Sequence, residues 1–111
     1  MAHTMKLAQK LGPDAAKWFL RSIEGPECFW INNGPIVGNL EQLAVSIRGM
    51  KKEVFMIHVN KDKNDFGKWI EYVIGDLRLA REMYKSRSRR NILQALNRRI
   101  KTLEKVAGLE K

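Results

Sequence analysis

The sequence predicts an all-α protein, a compact bundle of five or six short helices that ends in a basic amphipathic C-terminal helix. Three observations carry that expectation. Apolar residues recur at helical spacing through most of the chain, Asn, Asp and Ser stand where helix starts need a cap, and the one stretch of different character, Glu27 to Gly38, is short. With 111 residues one domain is expected, long enough to bury about 65% of the surface an extended chain exposes. Residues 1–84 read as a helical body, and residues 85–111 as a basic helix packed on it or extending from it.

Taken in order, Thr4 to Leu11 reads as a short helix interrupted by Gly12 and Pro13. Pro13 suits the first turn of the next helix, where its missing N–H is no loss, and Asp14 complements the positive end of the helix dipole. Ala15, Trp18, Phe19 and Ile23 follow at helical spacing, which predicts that both aromatics are buried, until Gly25-Pro26 ends the element. Cys28 to Ile31, followed by Asn32-Asn33-Gly34-Pro35, fits either a short strand and turn or an ordered loop. Asn39 is placed to cap a helix with Gln42 as its capping-box partner. Leu40, Leu43, Ala44 and Ile47 form the apolar stripe of that helix, and Gly49 closes it.

Lys51 to Val59 is ambiguous, because Phe55, Ile57 and Val59 alternate as in a strand while Val54, Ile57 and His58 share a helix face. Asn64 or Asp65 can cap a helix that buries Phe66, Trp69, Ile70, Val73 and Ile74. Gly75 fits a left-handed C-cap, and Asp76 starts another helix that buries Leu77, Ala80 and Tyr84. Ser86 or Ser88 caps the last helix. Its Leu93, Leu96, Ile100, Leu103 and Ala107 follow the a/d rhythm of a helix seam, and Leu93, Leu96, Ile100 and Leu103 offer a surface for a homodimer. Arg87, Asn91, Gln94, Arg98, Lys101 and Lys105 recur on the opposite stripe.

The run His58-Val59-Asn60, Asn64-Asp65-Phe66, Trp69-Ile70, Gly75-Asp76 and Leu79-Ala80 resembles a small prokaryotic domain family of unknown function. In that family a His-bearing segment leads through a loop into an NDF-x-x-W helix and then a GD-x-x-LA helix. The resemblance covers roughly residues 29–84. It implies a helical fold, turns the Lys51–Val59 segment toward helix, and supplies no catalytic residue. The chain after Tyr84 lies outside it, as an anion-binding extension of a generic helical domain.

Charge is the strongest functional signal. Residues 85–111 carry nine Lys and Arg against Glu104 and Glu110, which is +7 of the chain's net +9. Such an excess cannot neutralise itself through neighbouring pairs on a helix, and it points to a polyanionic partner. Arg87, Arg89, Arg90, Arg98, Arg99, Lys101 and Lys105 are the expected nucleic-acid contacts, and the preference for Arg over Lys suits bidentate contact with phosphate. Trp18 and Trp69 read as core residues, whereas Trp30, beside Asn32-Asn33-Gly34, is a candidate for stacking on an exposed base.

Other chemistries find little support. Two His and one Cys make no recognisable zinc set, and Lys61 to Asp65 lacks the ligand period of a calcium loop. The segment from Gly34 to Gly38 lacks a phosphate-loop pattern. His58 near Asp62 and Asp65 reads as a hydrogen-bonded structural residue rather than an acid–base pair, so no cofactor and no enzymatic activity are expected. The lone Cys28 and the absence of a long apolar run predict a cytoplasmic protein with no membrane span. The function expected is therefore a non-enzymatic RNA-binding accessory protein, associated with the ribosome through rRNA phosphates. Duplex DNA, in a chromatin-like role, and an acidic protein partner are the alternatives.

Overall fold

The computed structural model describes residues 11–109, so all but the last residue of the expected Thr4–Leu11 helix lies outside the described residues. Pro13 opens α1 (Pro13–Leu20), which has no side-chain cap but places Asp14 in its first turn. A 3-10 turn (Gly25–Glu27) leads into β1 (Phe29–Trp30), which pairs antiparallel with β2 (Ile36–Val37). Next come α2 (Leu40–Gly49) and α3 (Lys52–His58), then a second antiparallel pair, β3 (Val59–Asn60) with β4 (Lys63–Asn64). α4 (Asp65–Trp69) continues directly into a wide π turn (Ile70–Ile74), and α5 (Leu77–Tyr84) and α6 (Arg89–Ala107) complete the described chain. The protein is mostly helical, and the two hairpins are strands that an all-α expectation leaves out.

Side-chain caps start the helices where local chemistry predicts them. Asn39 Oδ1 accepts the Gln42 N–H at 2.8 Å, and Gln42 Oε1 returns to the Gly38 N–H at 2.8 Å, one residue outside a strict capping box. Asn64 accepts the Gly67 N–H at 2.9 Å, Asp76 the Leu79 N–H at 3.1 Å, and Ser88 the Asn91 N–H at 3.3 Å. Gly75 ends the π turn with φ of 92°, and its N–H reaches the Ile70 carbonyl at 2.8 Å. That left-handed conformation is open to glycine at no steric cost.

One continuous core results. Its first part is aromatic: Phe66, fully buried, meets Phe29 at 5.3 Å and Phe55 at 6.0 Å between ring centroids, and Trp69 stands edge-on to Phe29 at 5.9 Å. Its second part is aliphatic, where α6 packs on α1, α2 and α5 through Ile92, Leu96, Ile100 and Leu103. The expected stripe Leu40, Leu43, Ala44 and Ile47 is buried throughout.

Two packing expectations are corrected. Trp18 is 58% exposed, because α1 stops at Leu20 and turns Ala16 inward, with Phe19 and Leu20 at the edge of the core. The guanidinium of Arg21 covers the Trp18 ring at 3.7 Å instead. In α5 the Asp76 cap sets the helix so that Leu79, Ala80 and Met83 are buried, leaving Leu77 half-buried and Tyr84 exposed. Tyr84 lays its ring over Gly67, where a Cβ would come within 2.7 Å of it, and donates its hydroxyl to Glu71 at 2.8 Å.

Asp76 is also the one fully buried carboxylate among the described residues, and Arg99 meets it with two parallel hydrogen bonds, Nε to Oδ2 at 2.8 Å and Nη2 to Oδ1 at 3.0 Å. Removing one partner of such a pair leaves an uncompensated buried charge. Arg99→Ala is therefore expected to lower stability by about 3–5 kcal/mol, read as a fall in the urea midpoint. A loss below about 1 kcal/mol, the range of exposed pairs, would show that the pair does not hold α6 to α5.

Candidate functional site

The seven cations expected to contact nucleic acid divide into two sets. Arg99 is committed to Asp76. Arg89 is committed to α2, since it donates to the Met50 carbonyl at 2.7 Å and to the Ile47 carbonyl at 3.3 Å, with its guanidinium 5.5 Å from the Phe55 ring centre. It thus fills the role of a C-cap, satisfying carbonyls that α2 leaves without intrahelical donors. Arg21, outside the expected set, does the same for the π turn through the carbonyls of Val73 at 2.8 Å and Ile74 at 3.0 Å.

Arg87, Arg90, Arg98, Lys101 and Lys105 remain exposed, and among the described residues none of them makes an ion pair. Asn91 and Gln94 share their outward face. Arg98 and Lys101 border a groove of about 600 Å³ between α2 and α6, where Arg48 adds a cation but Glu41 and Glu104 temper the charge.

Stronger local charge gathers at the N-terminal end of α6, where two stretches distant in sequence, residues 52–64 and 84–89, meet. One groove of about 610 Å³ has Phe55, Met56 and Val59 among its lining, with Lys52, Lys61 and Arg87 around them. A second, of about 480 Å³, is polar and is lined by Lys61, Lys63, Lys85 and Arg87 together with Asn60, Ser86 and Tyr84. Asn60, Lys61 and Arg87 line both, so the two are contiguous. Among the described residues, Asp62 is the only carboxylate lining either. Lys63 is paired with Asp65 at 2.9 Å and Lys85 with Glu82 at 2.9 Å, whereas Lys52, Lys61 and Arg87 have no such partner among the described residues. Burial and the Glu71 carboxylate push the Tyr84 phenol well above its ordinary range, so it stays a donor. Charge counting along the sequence found Lys85 and Arg87 but not Lys52, Lys61 or Lys63, because only the β3–β4 turn and the start of α3 bring these beside the α5–α6 linker.

Trp30, the candidate for base stacking, is 64% exposed and pairs with Ile36, itself 54% exposed. It lines neither cationic groove and does not join the α6 cations. The seam Leu93, Leu96, Ile100 and Leu103 turns into the chain's own core: Leu96 and Leu103 are fully buried, Ile100 is buried and Leu93 is half-buried. Those side chains are occupied within the protomer, so a second copy would have to dock elsewhere.

His58 has both ring nitrogens engaged. Nδ1 meets Asp65 Oδ2 at 3.0 Å, and Nε2 accepts the Asn32 backbone N–H at 3.0 Å. These roles require the neutral Nδ1–H tautomer. The ring is buried between Phe29 and Phe66, with centroids at 5.2 and 5.4 Å. His58 ties the first hairpin to α3 and α4. No cluster of three or more His, Cys, Asp or Glu capable of holding a metal occurs among the described residues, and none of the helices searched is long and apolar enough to cross a membrane.

Comparison with family models, with curated proteins and with solved structures finds no match to the chain. The division of the cations can be measured directly. Arg89→Ala is expected to cost about 1.5–3 kcal/mol, the range for hydrogen bonds made by a charged group, whereas the neighbouring Arg90→Ala should stay within about 0.5 kcal/mol. Thermal unfolding of the two variants side by side checks the pair, and equal losses would contradict the capping role of Arg89.

Proposed function

We propose that this protein is a non-enzymatic RNA-binding accessory protein of the cytoplasm that associates with the ribosome by gripping rRNA phosphates. The observation that carries the reading is the exposed cation set, Lys52, Lys61, Arg87, Arg90, Arg98, Lys101 and Lys105, none of which makes an ion pair among the described residues. Seven such groups on a rigid body are matched by the dense phosphates of folded RNA, and each contact releases condensed counterions. A helix start, a hairpin turn, the α5–α6 linker and one face of α6 present these cations, none of them as an element aimed at base edges, so contact falls on the backbone rather than on sequence. Arg89 and Arg99, first counted with the ligand contacts, belong to the scaffold in this reading.

Because α6 supplies core residues, the test uses point variants of exposed side chains and not a shortened chain. The intact protein is expected to travel with ribosomal particles on a gradient, to survive DNase and to be released by salt. Sedimentation with DNA alone would favour the duplex-DNA reading, and a position at the top of the gradient would remove the polyanion reading. With purified single-stranded RNA, neutralising both Arg98 and Lys101 to Gln should make the log-affinity versus log-salt slope shallower by about 1.4, from roughly 0.7 per phosphate contact. An unchanged slope would exclude the α6 face from the interface.

A further inference from the structure

The two contiguous grooves at the start of α6 differ in chemistry, and that difference says more than their shared charge. The larger has an apolar lining: Phe55 and Val59 are only 4% and 3% exposed, while Met56 stands 54% exposed. The smaller is polar, with Lys61, Lys63, Lys85 and Arg87 around it. An apolar compartment joined to a cationic one through a shared wall, Lys61 and Arg87, reproduces the two halves of a nucleotide, a flat apolar base and a phosphate.

We propose that this junction binds a single-stranded segment of RNA with one base laid against Met56 and its flanking phosphates held by Lys61 and Arg87, a proposal that rests on the RNA-binding reading above. A duplex cannot use the apolar compartment. Its bases are paired and stacked, its deep groove is closed to side chains and its shallow groove shows base edges and 2′-hydroxyls, so along its length it offers no free π-face. An unstacked base brings a π-face, and a Met thioether makes favourable contact with aromatic rings. Stacking on a protein surface is indifferent to base identity, and the amides here reinforce that indifference. Asn60 is committed to the Met56 carbonyl at 3.0 Å and the Asp62 N–H at 3.0 Å. Asn64 is committed to the Met83 carbonyl at 2.8 Å and the Gly67 N–H at 2.9 Å. Both amides are oriented by the protein's own backbone, and with stacking as the main contact the site discriminates strandedness rather than sequence.

The full chain would be titrated, by fluorescence anisotropy at fixed salt, into a labelled oligouridylate of about ten nucleotides and into a blunt RNA duplex. Met56 is exposed, so Met56→Ser and Met56→Phe can be compared in folded protein, with thermal unfolding as the check. Met56→Ser is expected to weaken oligouridylate binding by roughly fivefold or more and to leave the duplex unchanged within about twofold, while Met56→Phe tightens the single strand alone. An oligoadenylate should behave as the oligouridylate does. Equal effects of either variant on both RNAs, or none on the single strand, would overturn the base-binding site while leaving phosphate binding intact. If the unaltered chain bound neither RNA, the RNA reading itself would fall. Should a poly-glutamate peptide displace the oligouridylate and itself lose affinity on Met56→Ser, the groove would belong to an acidic protein partner, and the single-strand proposal would be wrong.

Discussion

The buried pair of Asp76 and Arg99 is the interaction on which the rest of the fold depends. Asp76 does two jobs with one carboxylate, capping α5 through the Leu79 N–H and receiving the Arg99 guanidinium. A carboxylate this deeply buried is tolerated only with such partners. Two fixed hydrogen bonds set the rotation of α6 about its axis. That rotation sends Ile92, Leu96 and Leu103 inward and Arg98, Lys101 and Lys105 outward. The C-terminal helix is accordingly a wall of the core, and its exposed cations are displayed by a packed element.

The same principle sorts the cations as a whole. Arg21, Arg89 and Arg99 each satisfy backbone or carboxylate oxygens that the fold would otherwise strand, and each partner lies far away in sequence: 39 residues for Arg89 and Met50, 52 for Arg21 and Val73, 23 for Arg99 and Asp76. Arginine suits these positions because its planar fork reaches several acceptors at once. The residue type that marks phosphate contact thus also marks long-range capping. Only the location of the acceptor separates the two.

That explains what could be read from the sequence. Caps were legible, since Asn39, Asn64, Gly75, Asp76 and Ser88 act on backbone groups within a few residues and their chemistry is local. The helix faces of α2 and α6 were legible from spacing, although Ile92 was missed beside Leu93 and α5 was read with Leu77 and Tyr84 turned inward. The first hairpin was read as one of two alternatives for Cys28 to Ile31, and the second was not read at all. Each has strands of two residues, and the first is held by contacts that no local pattern encodes, the Asn32 N–H on His58 and the packing of Phe29 on Phe66. The residues of the pattern that led from His58 to Ala80 prove to be scaffold: His58 and Asp65 bond one another, Asn64 and Asp76 cap, Gly75 turns, and Phe66, Trp69, Leu79 and Ala80 fill the core. The cationic junction was half legible, through Lys85 and Arg87, because its other wall comes from Lys52, Lys61 and Lys63.

The clasp of Arg89 on the end of α2 has a consequence for the kinetics of any encounter at the junction. Arg89 links the Met50 and Ile47 carbonyls to the first turn of α6 and lies over Phe55, so the lining of the apolar groove and the helix beside it are fixed to one another before a ligand arrives. A preorganised surface loses little side-chain or loop freedom on association. The ordering that does occur falls on the ligand. For the RNA partner proposed above, association would be a rigid capture steered by charge, with an on-rate that falls with ionic strength.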